Sequence, residues 1–224
     1  MHRRHLIACA PVLLLLRPAW ALNLSESDAN AGIRTALERG ANAAVASLGR
    51  TDGFLGNPLV KIELPGYLRD AAKLLRATGQ GSKLDDLVTA MNRAAEAAVP
   101  AARPLLVNAV KNMSVEDGLK ILRGGDESVT EFFAGKTREP LHAQFLPIVT
   151  KATEKVSLAD KYNAVARKAS GFGLVKGDDA NIQQYVTGKA LDGLYRIIGE
   201  EEKKIRRDPV GTGSAILKKV FGSL

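Results

Sequence analysis

The sequence predicts an all-α fold. Apolar side chains recur at helix spacing through most of the chain, and clusters of Gly and Pro separate those stretches. The one alternating stretch, Val60-Lys61-Ile62-Glu63-Leu64, is too short and has no hairpin partner, so it reads as an extended connection near 60–64 rather than part of a sheet. With 46% hydrophobic and 25% charged residues in 224, the composition is that of a folded domain and excludes disordered and multi-span membrane classes.

The start of the chain reads as an export signal. His2-Arg3-Arg4-His5 is basic, Leu6 to Leu16 is apolar, and Ala19-Trp20-Ala21 is a small-x-small cleavage site. The apolar stretch falls short of the roughly 20 residues a membrane span needs. Residues 1–21 are therefore expected to be removed as a signal peptide, leaving residues 22–224 as a single domain that is periplasmic or secreted. Two competing patterns, lipobox-like residues before Cys9 and a twin-arginine pair at Arg3-Arg4, lack the context that would make them signals. Cys9 is the sole cysteine, so the exported domain has no disulfide, Cys nucleophile or Cys ligand.

From Asp28 to Leu48, Ile33, Ala36, Leu37, Gly40, Ala44 and Leu48 fall on one helical stripe, with cap oxygens at Ser25 to Asp28. Gly49, Gly53, Gly56 and Asn57-Pro58 punctuate the chain before the extended connection. A helix is expected over 67–78, and Ser82-Lys83-Leu84-Asp85 resembles a capping box opening one through Ala98. Pro100 and Pro104 should break or bend the chain after that helix. Ser114-Val115-Glu116-Asp117 is a second box, opening a helix that closes near Gly124-Gly125. A short helix from Asp126 to Phe133 is expected next, and then a long one capped by Thr137 and kinked at Pro147. Helices over 159–169 and 179–207 and a last piece around Ile216 to Phe221 bring the expected total to about eight to nine.

These residues resemble the bacterial family DUF4197 over essentially all of the chain after the signal. The resemblance rests on Asp52-Gly53-Phe54, Lys61-Ile62 with Leu64-Pro65, Met91-Asn92-Arg93-Ala94-Ala95-Glu96, Gly125-Asp126 with Thr130, Glu201-Glu202 with Ile205-Arg206 and Pro209, and Lys218-Lys219-Val220-Phe221-Gly222. Ser128-Val129 stands where the family pattern has Ala-Ala. The resemblance implies an exported helical protein and, by the family's own name, no established activity.

Several motifs end at their bland reading. Gly135-Lys136-Thr137 has Thr130 where a phosphate-binding loop needs Gly. Glu139 to His142 has the Glu-x-x-His spacing of di-iron bundles, but His142 is the only histidine after the signal, so neither that site nor a Ser-His triad can be completed. No metal or cofactor is expected. The acidic pairs Glu116-Asp117, Asp126-Glu127 and Asp178-Asp179 each sit at a proposed helix start, where negative charge is favourable.

Two groups remain as candidate sites. Asn92, Arg93 and Glu96 lie in a helix otherwise made of Ala, Leu, Val and Met. Asn92 and Glu96 are neighbours at the border of its apolar stripe, placed either to hydrogen-bond a loop or to anchor a ligand or partner together with Asp126 and Thr130. The second group is basic. Residues 22–202 carry 23 basic and 23 acidic side chains, whereas 203–224 carry Lys203, Lys204, Arg206, Arg207, Lys218 and Lys219 against Asp208 alone. Glu200 with Lys204 and Glu202 with Arg206 are expected as i,i+4 pairs. An exported chain with this balance points to an envelope protein or an anionic lipid or polymer as partner, and the scattered aromatics offer no stacking platform for nucleic acid. The leading expectation is a non-catalytic, envelope-associated binding protein. The alternative is a hydrolase using carboxylates such as Glu96 or Asp126 on an envelope component.

Overall fold

The computed structural model describes residues 26–68, 72–73, 76–79, 81–125, 127–154, 159–160, 162–163 and 181–208. Among these the chain is all-helical, without a strand. Its helices are α1 (Glu26–Leu48), α2 (Gly81–Ala98), α3 (Ala102–Lys111), α4 (Val115–Arg123), α5 (Ser128–Thr153) and α6 (Ile182–Arg207), and α1 is followed by a long irregular segment, 49–65. The described residues do not confirm the expected count of eight to nine helices. The pieces expected over 159–169 and 216–221 lie largely or wholly outside the described residues.

The longest helices form the centre. α6 packs on α5 and α1, α2 packs on α5 and α6, and α3 and α4 lie against α1. Nearly all buried apolar residues form one core, from Ile33, Leu37 and Leu48 of α1 through Met91, Leu106 and Phe133 to Leu191 and Leu194 of α6. The irregular segment contributes to it as a helix would: Phe54, Val60 and Ile62 are all buried. At about 1.5–3 kcal/mol for each large side chain removed from water, this segment is part of the core rather than a connection over it.

Local chemistry explains several boundaries. Ser114 accepts from the Asp117 N–H at 3.0 Å while the Asp117 carboxylate accepts from the Ser114 N–H at 3.1 Å, the reciprocal box expected at the start of α4. At 82–85 no box opens the helix, because α2 already begins at Gly81 and the Asp85 carboxylate instead takes Arg76 at 2.7 Å. Asn181 caps α6 by accepting from the N–H groups of Gln183 and Gln184. Pro100 sits in a 3-10 turn, Val99–Ala101, that passes the chain straight from α2 to α3. Pro104 lies in the first turn of α3, where its missing N–H removes no helix bond.

The largest correction concerns α5. The two helices expected around 126–133 and after Thr137 are one, Ser128–Thr153, running through Pro140 and Pro147. Both prolines are exposed, so the carbonyls they leave unpaired face water. Thr137 is no cap. It is buried, its hydroxyl donates to the Phe133 carbonyl at 2.6 Å, and the Tyr195 hydroxyl lies 2.9 Å away as donor to it. Burial holds the Tyr195 phenol above its ordinary range.

Ser114→Ala removes the acceptor for Asp117 N–H and should lower stability by about 1 kcal/mol, read as a lower urea midpoint with unchanged slope.

Candidate functional site

The site is built on α2. Asn92 is fully buried and makes a two-way pairing with Ile62: its Oδ1 accepts from the Ile62 N–H at 2.8 Å and its Nδ2 donates to the Ile62 carbonyl at 2.9 Å. Nδ2 also donates to the Val88 carbonyl one turn back, which fixes the rotamer. One turn on, Glu96 accepts on Oε1 from the N–H groups of Phe54 and Leu55 at 3.0 and 3.2 Å. Its Oε2 takes Arg93 at 2.7 Å, and the same guanidinium reaches Asp52 at 2.8 Å. Both carboxylates hold Arg93 even further above its ordinary range, Glu96 more than Asp52. Asn92, Arg93 and Glu96 thus clasp the 52–62 segment, and no oxygen of Glu96 is left facing open solvent as a free general acid or base.

The segment is shaped to be clasped. Asp52 has a left-handed backbone, φ 63°, a conformation its short polar side chain tolerates. A Cβ on Gly53 would stand 2.4 Å from the Leu48 carbonyl oxygen, so the turn admits only Gly there. Phe54 then lies against α6, where a Cβ on Gly193 would stand 2.7 Å from its ring, and Tyr185 of the same helix donates its hydroxyl to the Glu63 carbonyl at 2.8 Å. The clasp therefore delivers residues 59–63 to the side of α6 as the wall of a groove of about 290 Å³, which Lys61, Lys189, Asp192, Gly193 and Arg196 also line.

A second groove, about 410 Å³, continues along α6 from Asp192 and Arg196 to Lys203, with Glu127, Thr130 and Arg138 on its far wall. Thr130 and Lys203, distant in sequence, meet here. Thr130 packs closely on Gly199, where a Cβ would stand 2.8 Å from its hydroxyl. Arg138 binds Asp192 at 2.7 Å and lies over the Tyr195 ring. Asp126 lies outside the described residues, as do Lys218 and Lys219.

The basic stretch at the end of α6 is dispersed rather than presented as one patch. Lys203 pairs with Glu200 and Lys204 with Glu201, both at i,i+3, in place of the expected Glu200 to Lys204 pair. Arg207 is exposed. Arg206 turns inward: it binds Glu202 at 2.7 Å as expected, and also the Ile121 carbonyl at 2.8 Å and the Ser128 hydroxyl at 3.1 Å. It ties the C-terminus of α4 and the N-terminus of α5 to α6. Glu202 is buried beside Ile33, Leu37, Val129 and Ile198, and that burial raises its carboxyl above the usual range despite the pull of Arg206. The spacing of Glu202 and Arg206 predicts their pair, whereas the burial of Glu202 was missed. The signal was present: Ile198, Glu202 and Ile205 recur at i, i+4 and i+7, which places the acid within an apolar stripe. Arg196 was missed as well, and its signal is a lone cation between Gly193 and Gly199, one turn away on either side.

Among the described residues no three potential metal ligands cluster, and no helix is long and apolar enough to cross a membrane. The architecture and the clasp define an all-helical protein with an irregular segment built into its core. The family model described as "Protein of unknown function (DUF4197)" matches residues 23–222, and the chain belongs to that family. No curated protein and no solved structure matches it.

Because the folded Glu202 carboxyl titrates above the unfolded value of 4.5, its contribution to stability is complete below that value and declines as pH rises through the folded value. Urea midpoints of the protein should therefore fall relative to those of Glu202→Gln as pH increases from about 4.5. A gap that stays constant with pH would contradict the burial.

Proposed function

We propose that this chain is exported, loses residues 1–21, and works without catalysis as a binding protein for an anionic component of the cell envelope. The observation that carries this reading is the pair of grooves along α6, which meet at Asp192 and Arg196 and are lined by cations from three parts of the chain. Volumes near 300–400 Å³ suit a small ligand or an extended group of a larger one. The polar residues best suited to proton transfer are used otherwise. Glu96 holds backbone N–H groups and Arg93 through both oxygens, so the hydrolase alternative gains no free carboxylate from it, and Glu202 is a buried partner of Arg206 away from both grooves. The positive balance of 203–224 adds a long-range attraction to the same class of partner.

Two measurements test the reading. Intact mass of the protein recovered from the periplasm should start at Leu22, and recovery of the whole chain from the cytoplasm contradicts export. The purified protein should bind phosphatidylglycerol vesicles or a soluble polyanion at low salt, with affinity falling steeply as salt rises. Indifference to every anionic probe at low salt contradicts the binding reading.

A further inference from the structure

Of the cations lining the two grooves, all but one already hold a counter-charge. Lys61 pairs with Glu63 at 3.2 Å, Arg138 and Lys189 share Asp192 at 2.7 and 4.0 Å, and Lys203 pairs with Glu200 at 3.2 Å. Arg196 is exposed, lines both grooves, and has no hydrogen bond or ion pair among the described residues. The acids on its own helix are taken, Asp192 by Arg138 one turn before it and Glu200 by Lys203 one turn after it, and Glu127 stands on the far wall of the second groove. Gly193 and Gly199, one turn to either side, are covered by Phe54 and Thr130, which bring the opposite walls of the two grooves close to it.

We infer that Arg196 is the seat of an oxyanion, a phosphate or carboxylate of the ligand, at the junction of the two grooves. This inference rests on the binding reading above and names the contact that the reading leaves open. A planar guanidinium with free donors is the side chain best matched to two oxygens of one such group. The neighbouring acids and cations neutralise one another, which leaves one positive charge and selects for a single anionic group there rather than a densely charged strand. Thr130 lines the far wall of the same groove, where its hydroxyl donates to the Tyr195 carbonyl at 3.5 Å. The oxyanion could belong to a soluble molecule or to a lipid headgroup, and the two are separable.

The test measures binding of pyrophosphate by calorimetry and of phosphatidylglycerol vesicles by sedimentation. It uses the purified protein, Arg196→Gln, and Arg103→Gln, which removes an exposed cation that lines neither groove. Arg196 has no partner to lose, so its variant keeps the thermal midpoint. Loss of a charge-assisted pair should weaken pyrophosphate binding by about tenfold in Arg196→Gln and leave Arg103→Gln within about twofold. If pyrophosphate is not bound but Arg196→Gln weakens vesicle binding alone, the oxyanion is a lipid headgroup and the seat stands. If the two variants lose binding equally, the effect is general charge and the seat is wrong. Binding unchanged in Arg196→Gln overturns the seat while the binding reading survives, and no binding by the unsubstituted protein overturns both.

Discussion

A segment without regular secondary structure can enter a helical core only if its backbone N–H and C=O groups find partners there, because each one left unpaired costs about 1–3 kcal/mol. Asn92 and Glu96 meet that requirement at Phe54, Leu55 and Ile62, and turn bonds within the segment serve the N–H groups of Gly56, Asn57, Leu59, Val60 and Lys61. An Asn amide carries one acceptor and two donors, enough to satisfy both groups of Ile62 and anchor itself on Val88. A carboxylate accepts two N–H groups at once on Oε1, leaving Oε2 for Arg93. With the backbone satisfied, Phe54, Val60 and Ile62 contribute their full hydrophobic burial, and α6 can pack on Phe54 through Gly193. The groove beside Arg196 depends on the same clasp, since one of its walls is the held segment.

The second buried charge obeys a different balance. Arg206 and Glu202 lie within the apolar contact between α1, α4, α5 and α6, and what they hold is a turn: the end of α4 through the Ile121 carbonyl and the start of α5 through Ser128. Removing either partner would leave the other charge buried and uncompensated, a larger penalty than the pair itself contributes. The clasp on α2 and this pair on α6 fix the two irregular joints on which the positions of Thr130 and residues 59–63 depend.

What the sequence made legible was local. The stripe of α1, the Ser114 box and the Glu202 to Arg206 pair each depend on residues within a turn or two of one another, and each stands as read. Asn92 and Glu96 were legible as odd polar residues on an apolar helix, but their partners lie 30 to 42 residues away, so the choice between loop anchor and ligand contact could not be made from spacing. Thr137 misled because a Thr just ahead of a run of helically spaced apolar residues reads as a cap. Only the tertiary environment shows that Pro140 faces water and that Thr137 meets Tyr195. Arg196 carried no local signal beyond its flanking glycines, because what distinguishes it is that the cations gathered around it by the fold, Lys61, Arg138, Lys189 and Lys203, each hold an acid.

Residue-resolved native-state hydrogen exchange tests the clasp most directly. The amides of Phe54, Leu55 and Ile62 should exchange as slowly as those of Met91 and Ala95 in α2, although their own segment has no regular hydrogen-bond ladder. In Asn92→Ala the Ile62 amide should lose most of that protection. Exchange of all three in the unsubstituted protein at the rate of an exposed amide such as Thr51 would contradict the claim that the segment is held as part of the core.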